Sequence, residues 1–162
     1  MKISQLALPL ALFATHALAA DPIEKQVTVT AQVPTENFFV DPIGGNWMSD
    51  PQDMAWNSSQ QSLQDIRKQL RTKSTTGAIS AYLLNPAIMT SGSNRIELDV
   101  AVNGTVLKTT TAPVVPATDA LAGATVDFVI SAQAPTAADG KYVPGNYQGI
   151  VGMMFETVIP PR

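Results

Sequence analysis

Among its 162 residues the chain contains no cysteine and a single histidine, His16. Charged residues make up 14%, against about 25% in ordinary soluble domains. Aromatic residues are 6%. Without cysteine there is neither disulfide support nor a thiolate zinc site, so packing and strand pairing must hold the fold together. With ten Lys plus Arg against thirteen Asp plus Glu, a net charge of −3, the basic surface that a nucleic-acid binder needs is missing. Thr, Ser, Asn, Gln and Ala must therefore cover most of the surface, which suits a chain that assembles with itself or works outside the cytoplasm. No S-x-x-K, G-x-S-x-G, Walker A or G-x-G-x-x-G string occurs. An acidic pair such as Asp50 with Asp53 lies in a Ser/Pro/Gln-rich stretch and reads as a solvated turn.

The one compact apolar run, residues 6–13, follows Lys2 and precedes Ala17-Leu18-Ala19. It is too short for the ~20 residues that span a bilayer, and its flanks fit an export signal removed after Ala19 or Ala20. Removal takes away His16, and with it His-based acid–base work, Ser-His-Asp and Cys-His nucleophiles and imidazole metal ligation. The expected organisation is a signal peptide over 1–19, an N-terminal extension over 20–34 and one domain over 35–162.

What remains is rich in two-residue alternation. Ile23, Val27, Val29, Ala31 and Val33 are the apolar residues of a strand bracketed by Pro22 and Pro34, and proline ends a strand because it has no N–H to donate. A short strand is expected at 37–40. Leu63, Ile66 and Leu70 carry the i, i+3, i+7 spacing of a helix, with Ser58 or Ser59 near its N-cap. Residues 78–84 read as a buried strand. Ile96, Leu98, Val100 and Val102 alternate towards Asn103-Gly104, the dipeptide of a type I′ turn, with a return strand at 106–111. A Pro/Ala-rich connection is expected over 112–123, a strand at 126–130, and a last strand over 147–159 with Tyr147, Gly149, Val151, Met153 and Phe155 on one face. About eight strands of this kind make an all-β immunoglobulin-like sandwich.

Three stretches carry a resemblance: EKQVTVTAQV at 24–33, VNGTVLKTTT at 102–111, and VDFVISAQAPTAADGKYVPGNYQGIVGMMFET at 126–157. Together they resemble the major pilins of the class 5, or alpha, chaperone–usher fimbriae, the colonisation-factor (CFA/I-type) and cable-pilus family. The resemblance implies an incomplete immunoglobulin-like sandwich completed by a donor strand from another subunit. It implies that Ile23, Val27, Val29, Ala31 and Val33 insert into a neighbour, and that Tyr147, Val151, Met153 and Phe155 line the groove that accepts such a strand and faces the chaperone. It also implies a strand, with a bulge, in place of the helix over 63–73. The partners it implies are the chain itself in a head-to-tail homopolymer, a periplasmic chaperone, an outer-membrane usher and a tip adhesin, on a route through the periplasm to a surface fimbria that supports adhesion to host cells. Neither cofactor, metal nor catalysis is implied. A reading of another class is a secreted carbohydrate-binding β-sandwich with Trp47 and Trp56 as a stacking platform.

Overall fold

The computed structural model describes residues 37–135 and 140–158. The strand expected at 23–33 and the export signal lie outside the described residues.

The described chain runs β1 (Phe38–Pro42), a single 3-10 turn (Trp47–Ser49), β2 (Trp56–Asn57), β3 (Ser62–Leu63), β4 (Ile66–Ser74), β5 (Ala78–Leu83), β6 (Ile88–Ser91), β7 (Asn94–Val102), β8 (Thr105–Val106), β9 (Ala112–Val115), α1 (Ala117–Ala122), β10 (Ala124–Ala132) and β11 (Met153–Val158). The larger sheet has the order β1-β4-β10-β7-β6, with β8 also on β7; the smaller has the order β11-β5-β9; β2 and β3 form a two-stranded ribbon. All pairings are antiparallel.

Two-residue alternation sets the core. In β4, Leu70, Thr72 and Ser74 are buried while Arg67, Gln69 and Arg71 are exposed. Leu70 and Ile66 share a face in a strand as they would in a helix, and the pairing of Ile66–Thr72 with β10 selects the strand. The helix spacing is thus overruled, as the resemblance implied. Leu63, however, does not enter β4 through a bulge. It sits in β3 opposite Trp56, and Gln64-Asp65 break the chain between the two strands. In β7, Ile96, Leu98, Val100 and Val102 point inward as their alternation requires. Asn103 and Gly104 turn the chain with φ of 51° and 78°, the doubly positive pair of a type I′ turn.

The return strand is shorter than its sequence suggests. After β8, Leu107 N–H still donates to Val100 O at 2.8 Å, but Lys108 O accepts from Leu83 N–H of β5 at 2.7 Å. The chain crosses there from one sheet to the other, and Leu107 plugs the crossing at 3% exposure. The connection 112–123 is not loop: Ala112–Val115 add β9 to β5, and α1 ends on Gly123 at φ 87°. Ala120, fully buried, fixes α1 on the body. Residues 88–91, beyond Asn85-Pro86, form β6 in a hairpin with β7.

Trp47 closes the core. Its ring lies 5.2 Å from that of Phe128, Lys68 Nζ stands 5.9 Å above it, and its indole N–H donates to Ile43 O at 3.2 Å. Removing a buried aromatic leaves a cavity as well as losing transfer energy. Trp47→Ala should therefore cost about 3–5 kcal/mol, read as a fall in the urea midpoint. The same change at exposed Trp56 should leave the midpoint nearly unchanged; equal shifts in the two variants would contradict this packing.

Candidate acceptor edge and the last strand

An immunoglobulin-type sandwich sets strands A, B, E and D against C, F and G. Here β1, β4, β10 and β7 supply A, B, E and D, and β5 and β11 supply C and F. Among the described residues nothing pairs with the other edge of β11, where G would lie, and β1 pairs with β4 alone.

The burial of side chains on β11 follows this edge. Met153, Phe155 and Thr157 lie opposite Leu83, Ala81 and Ile79 of β5. The β5 residues are 5%, 0% and 0% exposed, yet their partners on the same inward face of β11 are only half-buried. Phe38 and Val40 on β1 are likewise half-buried against the core. A strand inside a sheet has its inward side chains covered by neighbours on both sides. One with a single neighbour among the described residues leaves the far flank of those side chains without cover from a described strand. The turn between β4 and β5 is tied to the start of β1 and to the end of β11. Thr75 N–H donates to Asn37 O at 2.8 Å, and the Thr76 hydroxyl bonds that of Thr157.

Of the four C-terminal residues expected to line the groove, Met153 and Phe155 stand on β11. Val151 precedes the strand and packs half-buried on the core. Tyr147 is elsewhere. The strand expected over 147–159 begins only at Met153, because Gln148 bridges to Thr90 of β6 in the other sheet, which takes Tyr147 away from β5. Gly149 makes that bridge possible, since a Cβ there would run into the carbonyl of Ile88, whereas one at Gly152 would only touch Leu84. Gly149→Ala should accordingly detach the segment from β6 and cost about 1–3 kcal/mol. A higher exchange rate of the Thr90 and Gln148 amides would report it, and unchanged protection would refute it. The residues expected on the donor side, Ile23, Val27, Val29, Ala31 and Val33, lie outside the described residues.

The two tryptophans do not share a surface: Trp47 is 8% exposed and Trp56 51%, so the expected two-tryptophan platform does not exist. Sequence reasoning gave β1 no part in the candidate site. The signal was there in Asn37-Phe38-Phe39-Val40, since two Phe in a short strand otherwise rich in polar neighbours ask for cover on both faces. Phe39, on the outward face, finds it under Arg71, 5.4 Å from its ring, which is itself paired with Asp41 at 3.3 Å.

The sequence model of the CS1 type fimbrial major subunit matches residues 23–156. The chain belongs to that family. It is a structural pilin subunit, and fimbriae are where it acts, by assembling with itself at the cell surface. No curated protein sequence matches it. Among solved structures it is similar to the CooA pilin subunit of enterotoxigenic Escherichia coli, with a TM-score of 0.60 over 76% of this chain and 90% of that one, at 16% identity. At that identity the likeness is one of fold: the subunit has the immunoglobulin-like architecture that a donor strand completes.

Proposed function

We propose that residues 20–34 of one mature subunit fill the groove of the next, head to tail, once a signal peptide over 1–19 has been removed. The half-burial of Met153 and Phe155 beside the edge of β11 that no described strand pairs is the observation that carries this reading. Val27, Val29, Ala31 and Val33 present one apolar face at the two-residue spacing of an inserted strand, and strand addition to an open edge is an established binding mode. Because arm and groove are different surfaces, the contact is heterologous and propagates into an open fibre rather than closing as a dimer. Before assembly a periplasmic chaperone covers the same groove, an outer-membrane usher passes the subunit on, and a tip adhesin receives the first arm. The shaft so built supports adhesion to host cells.

The absence of cysteine gives a clean test. Single cysteines at Val27, Val29 or Ala31 are combined in turn with one at Met153 or Thr157, and assembled fibres are oxidised. At least one combination should give a ladder of covalent multimers on denaturing gels, whereas bridges confined to single chains in every combination would overturn the exchange of arms.

A further inference from the structure

Asn103 is the one asparagine of the chain that glycine follows. The pair that turns β7 into β8 is thus also its most reactive dipeptide. Glycine has no side chain to shield its amide nitrogen, so that nitrogen can reach the side-chain carbonyl carbon of the preceding asparagine. Both residues are exposed, and a Cβ at Gly104 would meet nothing within 4 Å, so water reaches the site.

The fold ties this turn down at three points. Asn103 N–H donates to Asp127 O of β10 at 2.8 Å. The Asn103 side-chain Nδ2 donates to Val114 O of β9 at 2.8 Å. The Thr105 hydroxyl makes a longer bond to Pro113 O at 3.5 Å. Strand β10 belongs to the larger sheet and β9 to the smaller, so the amide of one exposed side chain links the two. Val114 stands where β9 slips on β5, between the pairs Ile79–Val115 and Ser80–Pro113. At that irregularity Asn103 supplies a donor to the β9 backbone.

We propose that Asn103 is a site of spontaneous deamidation, that the closed sandwich protects it, and that loss of its amide loosens β9 irreversibly. Gly104 N attacks Asn103 Cγ. The N–Cγ bond forms, the Cγ–Nδ2 bond breaks, and ammonia leaves with the proton from the glycine nitrogen. Water then opens the resulting succinimide at either carbonyl, leaving aspartate or isoaspartate. The attack requires the Asn103 side chain to swing onto its own backbone, which breaks the bond to Val114. Modification therefore runs through local opening of the hairpin. Either product places a carboxylate oxygen where Nδ2 had donated, so two acceptors face each other and neither is satisfied. Isoaspartate also adds a methylene to the backbone, which a two-residue turn in register does not accommodate. A copy whose hairpin stays open is marked for good, and a closed copy is spared. None of this depends on the arm-and-groove reading.

Native fimbriae and the same chain denatured in guanidinium, both at mildly alkaline pH, are sampled over time and peptide-mapped by mass spectrometry. An isoaspartyl methyltransferase assay reports the isomerised product. In the denatured chain Asn103 should convert faster than any other asparagine. In native fimbriae it should convert at least about tenfold more slowly. Asn103→Asp, the product made directly, should lower the urea midpoint of the subunit and speed exchange of the Leu107 amide, which bonds Val100 O just past the turn. Asn85→Asp, at an exposed asparagine, should do neither. Equal rates in native and denatured chain would overturn the protection. Faster conversion of another asparagine in the denatured chain would overturn the site, and an Asn103→Asp subunit as stable as wild type would overturn the consequence.

Discussion

Val29→Asp in the N-terminal arm should abolish or severely shorten fibres while the subunit still folds and still accepts a wild-type arm. Burying three Val and one Ala contributes about 5–8 kcal/mol, at roughly 1.5–3 kcal/mol for each large aliphatic side chain. Ordering the free arm costs about 1–2 kcal/mol of backbone entropy per residue. Apolar burial therefore does not carry insertion alone; ladder hydrogen bonds and cover for the far flank of the β11 side chains must supply the rest, and the margin is small. An unpaired carboxylate in an apolar pocket is among the largest single-residue penalties, enough to reverse it. Thr28→Asp, on the other face of the arm, should assemble nearly normally. Fibre length by electron microscopy, with mixed assembly against wild-type subunits, checks both. Equal assembly of Val29→Asp and wild type would remove the arm from the mechanism. Loss of folded subunit in both variants would instead make residues 23–33 a strand of their own sandwich.

Phe155→Asp should prevent folded subunit from accumulating at all. Phe155 faces inward on β11 opposite Ala81, which is fully buried. An aspartate there faces the interior, so it loses the aromatic packing and, on the proposed exchange, repels the strand that would cover it. The defect thus precedes polymerisation, which separates it from Val29→Asp. Met154, the next residue, is 44% exposed on the outward face, and Met154→Asp should accumulate almost as wild type does. The steady-state level of soluble subunit in exported fractions gives the comparison. Similar levels of the Phe155 and Met154 variants would contradict the inward placement of β11.

Both predictions depend on features of unequal visibility in the sequence. The Asn103-Gly104 turn was readable because its requirement is local: two successive residues at positive φ, which few dipeptides tolerate. Strand β7 was readable because four aliphatics in strict alternation have only one way to share a face. For β4 the local signal was ambiguous. Ile66 and Leu70 satisfy both a helix and a strand, and only pairing with β1 on one side and β10 on the other decides between them. Segment 112–123 looked like a connection because alanine and proline carry weak strand signals. Yet Gly123 marks a helix end, and Ala117 and Ala120 are good helix formers. The pieces of α1 were present, but too short to stand out from their surroundings.

The amino-acid sequence alone determined the all-β class, the positions of most strands and the family, since each rests on two-residue periodicity, turn chemistry or contiguous stretches of residues. Tertiary structure decided which edges stay unpaired among the described residues. The crossing at Leu107, the burial of Trp47 against Phe128, and the diversion of Tyr147 towards β6 while Met153 and Phe155 join β5 are relations between segments far apart in the chain. A strand's alternation states which of its faces is apolar; whether a neighbour covers the flank of that face depends on which other strand reaches the edge. That is a property of the assembled sandwich, and it is why the half-burial of Met153 and Phe155 on β11 emerges only once both sheets are in place.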